Sequence, residues 1–242
     1  MTQLSVNLNK IALIRNSRGG AQPNVVEFAL RAIEFGAHGI TVHPRPDGRH
    51  IRRDDVFALK DAINVELNIE GYPSEDFNAL VREVKPAQVT LVPDDPAQLT
   101  SDHGWDLEQH GEALKPIIDA YCTAGIRVSL FMDPVAEKIA AVKNHGADRI
   151  ELYTEAYAKA YRTKDEAAVL QTYVDAAQAA LDEGLGVNAG HDLNQANLGL
   201  FCSDVPNVSE VSIGHALVSE ALVEGWKKTI QNYISILQDA NS

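Results

Sequence analysis

The stretch FGAHGITVH, residues 35–43, decides how the rest of the chain is read. Gly36 closes a helical pattern, and the apolar run that begins at Gly39 starts a strand almost at once. The same arrangement returns as TAGIRVSLF (123–131), HGADRIELY (145–153) and EGLGVNAGH (183–191). Gly36, Gly125, Gly146 and Gly184 each suit the left-handed position that ends a helix. Before them, Val26, Leu30 and Ile33, and later Ile139 and Val142, recur three or four apart, as one face of a helix requires. The period is therefore strand, helix, strand.

Working outward from these echoes gives eight candidate strands: LSVNLN, GITVH, VELNIE, QVTLVP, RVSLFMD, RIELYT, GVNAGH and EVSIGH. They alternate with helices without a linker or a composition break, which predicts parallel pairing through right-handed crossovers. At 242 residues the expected closure is a single (β/α)8 TIM barrel domain covering residues 1–242. An open doubly wound sheet is the alternative, but no GxGxxG follows the first strand.

Composition narrows the function classes. Hydrophobic residues at 45% and charged residues at 23% describe an ordinary globular chain rather than a disordered or fibrous one. No apolar run reaches membrane-spanning length, and MTQLSVNLNK is no secretory leader, so a soluble, cytoplasmic protein is expected. Cys122 and Cys202 lack CxxC spacing and read as reduced packing residues. A net charge of −13 opposes nucleic acid and anionic membrane as partners.

Several strands are not the continuous apolar runs of a sheet buried on both faces. Asn7 and Asn9, Thr41 and His43, Asn68 and Glu70, and Glu151 and Tyr153 share one parity, while Leu8, Val42, Ile69 and Leu152 take the other. The polar parity should face the barrel interior, where an uncompensated polar group costs roughly 1–3 kcal/mol. A set this large predicts a binding site. Barrel enzymes carry their chemistry at the C-terminal strand ends, which here hold Asn7, Asn9, His43, Glu70, Glu151, His191, Gly214 and His215. Histidine titrates near neutrality and a dehydrated carboxyl can be raised toward it, so the group can run repeated proton transfers. No HxH pair lies on the first strand and HExxH is absent, so no catalytic metal is expected.

The histidine strand of the opening stretch continues as TVHPRPDGRHIRR, residues 41–53, a cationic cluster in an acidic chain. Arg45, Arg49, Arg52 and Arg53, with Arg15 and Arg18 of IRNSRGG, read as seats for phosphate, which guanidinium forks match bidentately. NAGHD and SIGHA add glycines after the seventh and eighth strands, where barrels hold phosphate on backbone N–H groups. Two such seats predict two phosphorylated small-molecule substrates, or one with two phosphates.

RNSRGG, GITVHPRPDGRHI, NIE, LVP followed by LTSDHGWD, RVSLFMD, VNAGH and IGHA occur in this order along nearly the whole chain. Together they resemble the pyridoxine 5'-phosphate synthase (PdxJ) family of vitamin B6 biosynthesis. The resemblance implies a TIM barrel with a few extra helices, assembled as a homo-octamer (a tetramer of dimers). It implies a transferase that condenses 1-deoxy-D-xylulose 5-phosphate with 3-amino-2-oxopropyl phosphate, without metal or organic cofactor. By the same resemblance His43 and Glu70 are general bases, His191 a general acid, and Glu151 a further active-site glutamate. Arg45, His50 and Thr100 would hold the deoxyxylulose phosphate; Asn7, Arg18, Gly214 and His215 would hold the amino ketone phosphate. The chain departs from the family pattern at Asn9 and Lys10, where an Asp-His pair touches the sugar phosphate, at Tyr153 in place of a histidine, and at Asp192 in place of a glycine. Asn9 and Lys10 are carried over as substrate contacts, and Asp192 through its backbone N–H alone. A non-catalytic barrel that binds a phosphorylated metabolite and regulates a partner is the alternative; it would need the arginines and glycines but no acid–base set.

Overall fold

In the computed structural model, which describes residues 1–94 and 102–240, eight parallel strands close on one another in chain order. They are β1 (Gln3–Asn7), β2 (Gly39–Val42), β3 (Glu66–Gly71), β4 (Gln88–Leu91), β5 (Arg127–Met132), β6 (Arg149–Tyr153), β7 (Gly186–Gly190) and β8 (Val208–Ile213). β1 pairs with both β2 and β8, so no edge is left open. This is the expected (β/α)8 barrel.

Each strand sends its apolar parity outward. Leu4, Val6, Ile40, Val42, Ile69, Val89, Leu130, Ile150, Val187 and Ile213 are all fully buried. They pack under the helices α1 (Asn9–Asn16), α2 (Val25–Glu34), α3 (Arg53–Ala62), α4 (Glu75–Val84), α5 (Leu107–Thr123), α6 (Ala136–Ile139), α7 (Glu155–Ala160), α8 (Glu166–Asp182), α9 (Leu198–Asp204), α10 (His215–Glu224) and α11 (Trp226–Ala240). Gly36, Gly125, Gly146 and Gly184 all have positive φ, as their reading as helix ends requires.

Local readings needed correction in several places. β1 stops at Asn7, so Asn9 opens α1 instead of ending a strand. In α2 the buried stripe is Val25, Ala29 and Ala32, one position away from the stripe read from sequence; Leu30 is 45% exposed. The larger side chains sit beside the contact because alanines let this helix approach the barrel closely. Ile139 and Val142 are both buried but belong to α6 and a separate 3-10 turn. Cys202 is a packing residue, whereas Cys122 is exposed, its thiol directed at the Gly146 carbonyl.

The inward parity is polar through most of the barrel. Ser5 and Thr41 share a hydrogen bond of 2.7 Å, Asn68 donates to Thr41, and Thr90 donates to Asn68 at 3.1 Å and to Glu151 at 3.4 Å. Below them, Arg149 donates to Asn188, Asn188 donates to Gln88, and Arg127 bridges Gln88 and Glu66. Among the described residues, a small apolar cluster of Val92, Phe131 and Tyr153 interrupts this near the C-terminal mouth. Replacing Asn188 by leucine should strip partners from Arg149 and Gln88 and lower the unfolding free energy by about 1–3 kcal/mol. A urea titration reads this as an earlier midpoint; an unchanged midpoint would show that the ladder is dispensable.

Candidate active site

The C-terminal ends of β1, β2, β3, β6, β7 and β8 surround a cavity of about 520 Å³. Asn7, Asn9, Lys10, His43, Arg45, His50, Glu70, His191, Asp192, Gly214 and His215, all expected at the site, line it. Glu151 lies beneath, 1% exposed on β6. Sequence reasoning did not assign Ser212, Leu13 or Glu155 to the site, although they too line the wall.

Glu70 is held on β3 with its Oε2 accepting from Asn7 Nδ2 at 3.3 Å, while Oε1 is buried without a hydrogen-bond partner among the described residues. Burial first, and then the nearby carboxylates Asp94 and Glu210, push its carboxyl up to about 8. Glu151 moves in the same direction for the same first reason, reinforced by Glu70 and Glu210. That value lies close enough to neutrality for Glu70 to exchange a proton in either direction, as an acid when protonated and as a base once it has lost the proton.

The histidines move the other way. Burial lowers His43 well below its ordinary value and brings His50 and His191 to about 4, with Arg45 adding to each effect. All three are therefore neutral imidazoles at neutral pH. His43 is fixed through its backbone, whose N–H donates to Asn9 Oδ1 at 2.8 Å, while the Asn9 N–H donates to Asn7 Oδ1 at 3.0 Å. Asn9 thus orients a neighbour whether or not it meets substrate. His191 follows β7 with φ of 84°, a region that costs a non-glycine residue roughly 1–3 kcal/mol and persists where packing over-determines it. Here Phe131 and Tyr153 confine the ring at centroid distances of 4.8 and 5.8 Å, and Nδ1 lies 3.8 Å from Glu151 Oε1. Gly190 must lack a side chain, because a Cβ there would come within 2.9 Å of that same Glu151 oxygen.

The cations are fewer than the sequence offered. Arg45, 7% exposed, forms a buried ion pair with Asp94, a partner that no motif revealed. Arg49 lines the cavity and is braced by Asp47 at 2.6 Å. Arg15 belongs to α1 and is committed to Asp55, and Arg53 pairs with Glu83 on the surface. Arg18, expected to bind substrate, is exposed in the turn after α1 and outside the cavity. Thr100 lies outside the described residues. The backbone N–H of Asp192, expected to face an anion, donates to Thr154 Oγ1 at 3.3 Å. Gly214 caps α10, whose first turn opens on the cavity and offers backbone N–H groups to an anion. Gly214 also admits Asn7, whose Cβ would stand 3.0 Å from any Cβ placed there.

Titratable groups gathered over the carboxyl ends of eight parallel strands define a (β/α)8-barrel enzyme. The family model described as "Pyridoxal phosphate biosynthesis protein PdxJ" matches residues 4–239. Proteins named pyridoxine 5'-phosphate synthase are 56% identical in Bacteroides fragilis, over 98% of this chain and 100% of that one, and 53% identical in Xylella fastidiosa strain 9a5c, over 99% and 96%. The chain belongs to the PdxJ family. Solved barrels of low identity share its fold: phosphoribosyl anthranilate isomerase of Thermotoga maritima (TM-score 0.62, 13% identity, covering 98% of this chain and 99% of that one) and tryptophan synthase of M. tuberculosis (TM-score 0.66, 14%, 98% and 93%).

The opposed shifts fix the pH dependence of stability. A carboxyl raised on folding stabilises the fold below its unfolded value of about 4.5, and that contribution is lost as pH climbs toward about 8. Histidines lowered on folding stabilise above about 6.5 and lose that contribution as pH falls toward about 4. Glu70→Gln should therefore flatten the alkaline fall in melting temperature and leave the acid limb in place. Parallel melting curves for the two proteins across this range would sink the assignment.

Proposed function

We propose that this chain condenses 1-deoxy-D-xylulose 5-phosphate with 3-amino-2-oxopropyl phosphate, giving pyridoxine 5'-phosphate, inorganic phosphate and water. Relatives at 53–56% identity over nearly their full length carry the name of that synthase. The observation that carries the reading within the site is Glu70, a buried carboxyl raised to about 8, in one cavity with three uncharged histidines. Amine addition to a ketone, loss of water, loss of phosphate and ring closure each move protons at one place. A carboxyl raised toward neutrality beside neutral imidazoles supplies both proton donors and proton acceptors for these steps.

His43 and Glu70 act as bases in this reading and His191 as an acid. The low value of His191 owes part of its cause to Arg45 and Lys10. A bound phosphate dianion offsets those cations and favours the imidazolium, so substrate arrival supplies the acid where it is needed. Glu151 Oε1, 3.8 Å from His191 Nδ1, is placed to accept from that nitrogen once the imidazolium forms. Arg45, His50 and Lys10, with Asn9 beside them, receive one phosphate. Asn7 and the Gly214–His215 start of α10 receive the other. Neither phosphate seat requires a metal or organic cofactor in this scheme. Homo-octameric assembly and residence in the cytoplasm are proposed with the family assignment.

Purified, chelator-treated protein mixed with both substrates should form pyridoxine 5'-phosphate and release phosphate together. Glu70→Gln should reduce turnover by about 100-fold or more, the usual scale for a lost general base. No product, with both phosphates still bound, would mark the chain as a binding barrel.

A further inference from the structure

α1 touches the cavity at its first turn, through Asn9 and Lys10, and its last turn reaches a different target. That target is the segment from Gly48 to Asp55, the end of the loop after β2 and the first turn of α3. Asn16 Nδ2 stands 3.2 Å from the carbonyl oxygen of Gly48, 3.1 Å from that of Arg49 and 2.7 Å from that of His50. Its own oxygen accepts from Arg15 Nε at 3.0 Å, so the amide can only present its N–H groups to the three carbonyls. Arg15 donates in addition to His50 O at 3.2 Å and grips Asp55 through both terminal nitrogens, at 2.5 and 2.8 Å. Asp55 accepts in turn from the backbone of Arg52 at 2.8 Å.

Consecutive carbonyls do not ordinarily converge on one donor, because each would otherwise take its own partner along a regular element. Their convergence curls this stretch around Asn16. The two side chains it carries, Arg49 and His50, both line the cavity. Neither residue of the clamp does so itself: Arg15 and Asn16 are absent from its wall.

We propose that Asn16, supported by Arg15, is a positioning residue for the anion seat, holding the backbone of residues 48–50 so that Arg49 and His50 face the bound phosphate. The proposal rests on the reading of the cavity as a phosphosubstrate site. It adds that the helix lining one wall sets the geometry of the neighbouring loop. Asn16→Asp keeps the volume but turns donors into acceptors facing three carbonyls, while Asn16→Ala removes the clamp without adding charge.

Both variants should raise KM for the phosphorylated substrate held at this seat by roughly tenfold, with kcat altered by less than about threefold, since hydrogen bonds that only position the ground-state contact are lost. Hydrogen exchange of the backbone amides at 48–52 in the free protein should accelerate, while amides of β1 and β2 keep their protection. On an Arg49→Ala, His50→Ala background, Asn16→Ala should cost no further factor in KM, because a residue acting through those two has nothing left to position. Unchanged exchange at 48–52, or a KM effect that multiplies fully on that background, overturns the proposal. The exchange measurement needs no substrate, so it stands even if the wild-type protein makes no pyridoxine phosphate, an outcome that would sink the functional reading alone.

Discussion

The interior of this barrel is polar and sealed from solvent, and its side chains find most of their hydrogen-bond partners in one another. In most barrels of this class the inward side chains are branched and apolar, and the interior packs by shape alone. Here Ser5, Thr41, Asn68, Thr90, Gln88, Asn188, Glu151 and Glu210 occupy those positions, each nearly sealed from solvent. Hydrogen bonds from strand to strand replace shape complementarity, and each link fixes the rotamer of the next. The mouth depends on this. Glu70 and Glu151 stand on the upper rung of a ladder that already holds an acid, Glu210; burial first, and then repulsion from neighbouring carboxylates, raises both carboxyls.

The fold was legible because parity is a strong signal. Glycine at positive φ followed at once by an alternating strand recurs at Gly36, Gly125, Gly146 and Gly184, and little except a repeated βα unit produces that pattern. The ends of elements were less legible. Leu8 continues the alternation of β1, so nothing in the letters shows that the chain turns into α1 at Asn9. The stripe on α2 misled for a related reason, since alanine reads as weakly apolar although its small size is what brings that helix into contact.

At the site, residues that follow directly from strand parity, such as Glu70 and His43, were found where expected. Those that depend on loop geometry were not. Arginine type alone cannot distinguish Arg49, which faces the cavity, from Arg15, which is spent on Asp55, because the difference is made by partners distant in sequence. Asp94 was invisible for the same reason: its role exists only once Arg45 is brought beside it. Asn16 sat inside a recognised motif, yet its task shows only in three converging distances.

α1 is eight residues long, with one end at the wall of the cavity and the other under the neighbouring loop. A helix turns by about 100° per residue, so adding or removing a single residue would swing its final turn to another side. The length of α1 is thus a gauge between two parts of the mouth. A graft of the β2–α3 loop into another barrel would bring the arginines without their alignment. The transferable unit is β1 and β2 together with α1 and α2 between them and the loop that follows β2, and a designer who moves less than that moves charge without shape.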